Sequence, residues 1–79
     1  MNLSELPKGG HAIVIAVTNN VDQDPISHRI RELGFVNGAS VEILAKGFFG
    51  GNPLVVRVGS TRFALRKKEA QRIQVADPA

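Results

Sequence analysis

A chain of 79 residues holds one small domain built on one core. Its 43% hydrophobic content argues against wholesale disorder, and the lack of cysteine excludes disulfides, thiol nucleophiles and cysteine-held metal or iron–sulfur centres. A formal charge of +3 gives only a modest field, compatible with an acidic protein, an acidic membrane surface or nucleic acid and selecting none of them.

The opening Met1-Asn2-Leu3-Ser4-Glu5 lacks the basic and apolar regions of a signal peptide, and no apolar run approaches the roughly 20 residues needed to span a bilayer. The expected compartment is therefore cytoplasmic. Leu3 and Leu6 bracket Ser4-Glu5 before Pro7, which predicts one turn tucking two leucines inward, and Lys8-Gly9-Gly10 then breaks the chain. His11 to Thr18 is an apolar, β-branched run and reads as a strand. Ile13, Ile15 and Val17 are taken as its inner face, with Ala12, Val14 and Ala16 on the other side.

After the polar stretch Asn19 to Gln23, Asp24-Pro25 is a strong helix start. Asp24 serves as N-cap, and Pro25 takes the first helical position, where no amide donor is needed. Ile26, Ile30 and Leu33 share one face, His28, Arg31 and Glu32 the opposite one, and Gly34 suits the left-handed residue that ends a helix. Phe35-Val36-Asn37-Gly38 returns the chain through an Asn-Gly turn.

The stretch around which the rest is organised runs from Val36 to Val58. Val41 and Ile43 alternate with Ser40 and Glu42; Leu54, Val56 and Val58 alternate with Val55 and Arg57; the glycine-rich 47–53 joins the two as a hairpin. Gly59-Ser60 is a two-residue hairpin turn leading to a strand with Phe63 and Leu65 inward and Arg62, Ala64 and Arg66 outward. Lys67 to Gln71 suits one helical turn. Ile73 and Val75 make a closing strand, and the tail after residue 75 is expected to fray. Short strands joined by glycine-rich turns predict a mainly β fold: a small, partly open barrel over residues 1–79, with one α-helix and a short helical turn before the last strand.

Residues Ile30 to Ile43 (IRELGFVNGASVEI), then Pro53-Leu54-Val55-Val56-Arg57-Val58, Phe63-Ala64-Leu65-Arg66 and Ala70-Gln71-Arg72-Ile73, resemble the FeoA family of bacterial ferrous iron uptake. Leu3-x-x-Leu6-x-x-Gly9 ahead of a hydrophobic strand fits the same pattern, and the order of these segments covers nearly the whole chain. The resemblance implies an SH3-like barrel and a non-enzymatic accessory role. The partner it implies is FeoB, the membrane ferrous iron transporter with a cytosolic GTP-binding domain. It also resembles a domain at the C-terminus of some iron-dependent repressors, where fold alone does not fix function.

Read for chemistry, the chain has neither a G-x-S-x-G elbow nor a G-x-x-x-x-G-K-[ST] phosphate loop, which points away from catalysis. His28 and Glu32, four apart on the exposed helix face, are the only metal-ligand pair worth naming. Two ligands make an opportunistic site rather than a structural one, so no cofactor is expected beyond adventitious divalent metal. With no Trp or Tyr, the aromatic groove that grips PxxP ligands cannot be assembled. The partner surface expected instead is the central hairpin, with Phe48 and Phe49 at its tip and Leu44 and Val55 on its outer face. It would serve the transporter or self-association into a homo-oligomer. Arg57, Arg62 and Arg66 form the second expected surface, within a basic set that adds Lys67, Lys68 and Arg72. No stacking aromatic sits among these arginines, so nucleic acid is not the expected partner, and a small nucleic-acid-binding or repressor-like barrel is the alternative reading.

Overall fold

The computed structural model describes residues 1–47 and 50–77. It contains strands β1 (His11–Val17), β2 (Ser40–Gly47), β3 (Gly51–Val58), β4 (Thr61–Leu65) and β5 (Ile73–Ala76). Helix α1 (Pro25–Glu32) lies between β1 and β2, and the short helix α2 (Lys67–Ala70) between β4 and β5. A 3-10 turn, Leu3–Glu5, precedes them. The strands form one antiparallel sheet in the order β4-β3-β2-β1-β5. Leu65 of one edge strand and Ile73 and Val75 of the other share a single core with Val14, Ile43 and Val56. The sheet therefore curls on itself without closing, and the expected partly open, SH3-like barrel is what forms.

Local chemistry sets the ends of the elements. Asn2 Oδ1 accepts the Ser4 amide at 3.0 Å while Glu5 Oε1 accepts the Asn2 amide at 2.8 Å. This reciprocal cap fixes the turn that buries Leu3 and Leu6. Asp24 caps α1 as read, its Oδ1 accepting the Ile26 amide at 3.1 Å. Gly34 follows the helix at φ +111°, a conformation an L side chain resists. Ile30 is buried beneath the helix, with Ile26 and Leu33 packed at the margin of the core. At the start of α2, Glu69 Oε1 accepts the Arg66 amide at 2.7 Å.

The inner face of β1 is a correction. Ala12 and Val14 are buried, Ile13 is half-buried and Ile15 is exposed. Between Val14↔Val75 and Ala16↔Gln74 the register slips, so Ile15 is the extra residue of a β-bulge, and only after it does Val17 turn inward opposite Ile73. Alternation cannot choose a face when both faces are apolar. The choice is made by the neighbours: Ala12 stands opposite Val41, and Val14 opposite Val75, both partners being buried in the core. Pairing also continues one residue past the expected end, with Ala76 opposite Ile13.

Gly47 closes the base of the central hairpin opposite Gly51. A Cβ there would collide with the Asn52 carbonyl, which is backbone and has no rotamer to give. Gly47→Ala is expected to cost roughly 2 kcal/mol, read as a lower urea midpoint at unchanged m-value.

Candidate functional site

Strands β2, β3 and β4 present one outer face. Register places Glu42, Arg57 and Arg62 in one row across it and Ala45, Val55 and Ala64 in the next. Leu44, half-buried, is the extra residue of a bulge between Ile43 and Ala45, beside that apolar row. Four of the expected contact residues, Leu44, Val55, Arg57 and Arg62, are thus brought onto one face. Phe48 and Phe49 lie outside the described residues.

The charges on this face are unequal. Arg57 Nη2 is ion-paired with Glu42 Oε1, and His11 Nε2 stands 3.8 Å from the other oxygen of the same carboxylate. Arg62 has no ion-pair partner among the described residues, so it is the free cation of the row. Arg66 departs from the row: two residues beyond Ala64, it leads into α2 and lines a cleft of about 320 Å³ between α1 and β4. Ile30, Leu33, Phe63 and Leu65 supply the apolar lining of that cleft, and Arg29 joins Arg66 as an exposed cation beside them. Sequence reasoning missed the cleft because it forms only when β4 curls towards α1; the shortness of β4 was the one available signal.

Arg72 does not belong to the basic surface at all. Its side chain is only 8% exposed, and its Nε donates to Asp24 Oδ2 at 2.8 Å across 48 residues of chain. Nη1 donates to the Lys68 carbonyl at 2.7 Å. The Arg72 carbonyl in turn accepts the Thr18 amide at 2.8 Å. Asp24 Oδ2 also accepts the Asn20 amide at 2.9 Å, and Ser27 Oγ lies 3.1 Å from it. The guanidinium first, then the Asn20 amide, hold the Asp24 carboxyl far below the usual carboxylate range against the opposing effect of burial. These residues are a clamp joining the loop after β1, the start of α1 and α2. One arginine of the basic set is thus an internal ion-pair partner, while the others of that set stay exposed.

On the exposed face of α1, His28 Nε2 is 2.7 Å from Glu32 Oε1, both well exposed. Among the described residues no group of three or more His, Cys, Asp or Glu converges, so this pair stays a two-donor arrangement. No helix among the described residues is long and apolar enough to cross a membrane.

An open five-stranded barrel with a helix between its first two strands, and a mixed apolar and cationic outer face, defines a small SH3-like domain. The FeoA domain model matches residues 1–77, and the chain belongs to the FeoA family, which is associated with ferrous iron transport. Among solved structures it is similar to a Stenotrophomonas maltophilia FeoA in complex with zinc, an SH3 domain protein advanced as a ferrous iron transport activating factor. The two share 53% identity at a TM-score of 0.89 over 96% of this chain and 89% of that one. It is also similar to FeoA of Chlorobium tepidum, at 32% identity and TM-score 0.83 over 100% of this chain and 71% of that one. The likeness to T. acidophilum IdeR, at 17% identity and TM-score 0.78 over 98% of this chain and 33% of that one, is one of fold alone. No curated protein matches the chain.

Proposed function

We propose that this protein is a non-enzymatic accessory factor of ferrous iron uptake that docks on the cytosolic region of the transporter FeoB and biases its conformation or assembly. Membership of the FeoA family carries the reading. The outer sheet face supports it: an apolar row of Ala45, Val55 and Ala64 beside the free cation Arg62 is the mixture that interfaces use, an apolar centre with charges setting orientation. A docked protein shifts a partner only as far as it binds one state better than another, so affinity must depend on the transporter's nucleotide state.

Calorimetric titration of the cytosolic region with this protein, in GDP and in a GTP analogue, tests the reading. Saturable binding that differs between the two nucleotides is expected, with Arg62→Glu weakening it about tenfold or more and Arg57→Gln much less, because Arg57 is already neutralised by Glu42. Phe48→Ala and Phe49→Ala complete the series for the hairpin tip. Absence of binding to both the isolated region and the intact transporter would overturn the proposal.

A further inference from the structure

The two edges of the curled sheet are treated differently. Beyond β5 the chain covers its own edge: Asn2 bridges Gln74, and the Val75 amide donates to the Met1 carbonyl at 2.9 Å. Beyond β4 nothing equivalent is present among the described residues. β4 pairs with β3 alone, and residues 61–65 make no other backbone hydrogen bonds among them. In an antiparallel pair, alternate residues of an edge strand direct their N–H and C=O groups away from the neighbour. Those groups border the cleft between β4 and α1.

The cleft also says what would sit there. Leu33 and Phe63 are half-buried over the fully buried Ile30 and Leu65, so an entering apolar side chain would complete an existing core rather than rest on a flat surface. Arg29 and Arg66 flank it, and neither has an ion-pair partner among the described residues. Glu69 also lines the cleft, but one oxygen of its carboxylate is engaged by the Arg66 amide. A second copy of this chain is a poor occupant, since edge-to-edge pairing would bring two sets of Arg62 and Arg66 together.

We propose that the β4 edge and this cleft form a strand-addition site for an extended segment of a partner protein, one carrying an apolar side chain flanked by Asp or Glu. Backbone pairing along β4 supplies register, the cleft takes the apolar side chain, and Arg29 and Arg66 select acidic flanks. The inference rests on the docking reading above and names the chemistry of the contact.

The test uses the full chain against a displayed random heptapeptide library, with the selected peptides then titrated and followed by amide chemical shifts. Enriched peptides should share an apolar centre with acidic neighbours and move the amides of Phe63, Ala64, Leu65 and Leu33. Arg29→Glu combined with Arg66→Glu should weaken them at least about tenfold and turn a repeated selection towards basic peptides. The Arg29→Gln, Arg66→Gln pair gives the milder version should the charge reversal disturb folding. Selected peptides that lack acidic residues, that shift amides elsewhere, or that bind both double variants unchanged would overturn the proposal. So would a failure of any peptide to be enriched, or sedimentation showing that the chain pairs with itself through β4. If the transporter's cytosolic region binds but leaves these amides unmoved, the cleft assignment alone falls. If neither that region nor the intact transporter binds, the docking reading falls, and the library still decides the cleft.

Discussion

Phe35→Ala is expected to lower Tm by roughly 15–30 °C, enough to leave much of the protein unfolded at physiological temperature. Phe35 is fully buried, and its ring meets Phe63 at 6.0 Å between centroids, tilted by 53°. It lies three residues beyond α1 and joins the chain after the helix to β4 through Phe63, whose side chain lines the cleft. Truncation of a fully buried phenylalanine typically costs about 3–5 kcal/mol, a large share of what a domain of this size possesses. Thermal unfolding by circular dichroism measures it. The same experiment on β1 checks the corrected face: Val14→Ala should be clearly destabilising, whereas Ile15→Ala, at an exposed bulge, should change stability by less than about 0.5 kcal/mol. A reversed result would restore Ile15 to the core.

Arg72→Met should produce the second large effect, a fall in Tm of at least about 10 °C at neutral pH, because it leaves the Asp24 carboxylate buried without its counter-charge. Asp24→Asn together with Arg72→Met should be less damaging than Arg72→Met alone, since the uncompensated charge is then gone. The pH dependence follows from the direction of the Asp24 shift. Its folded form stays ionised far below the ordinary value of 3.8, so the unfolded chain takes up the proton first as the solution is acidified. The clamp's contribution is therefore complete above about pH 5 and is lost progressively below it, as the pH falls through the unfolded value. In Arg72→Met the folded carboxyl titrates higher, and this acid-induced loss should shrink. Denaturant unfolding at a series of pH values separates the cases; equal acid slopes in the two proteins would refute the assignment.

These two sites mark where reading the chain succeeded and where it could not. Asp24 was legible as a helix cap because a cap is local: an Asp before a Pro, then an apolar helical period. That the same carboxylate also binds Arg72 was not legible, since the partner lies 48 residues away and an arginine near lysines reads as surface. Val55, Arg57 and Arg62 could be read as sharing one outer face because period-two alternation holds along β3 and β4, whereas Leu44 sits at a β2 bulge that alternation does not describe. The separation of Arg66 from them depends on how β4 passes into α2, which alternation does not describe.

By itself, then, the sequence determined the elements, the capped ends of α1, the hairpin order and the family, because caps, turn glycines and side-chain alternation act over a few residues and leave their mark in the chain. Only the tertiary structure decided which face of β1 is buried, that Arg72 lies inside, that Glu42 neutralises Arg57, and that, among the described residues, β5 is covered while β4 stays open beside a cationic cleft. Each of those outcomes depends on which distant residues meet when the sheet curls. Desolvation and ion pairing then assign like residues to unlike roles.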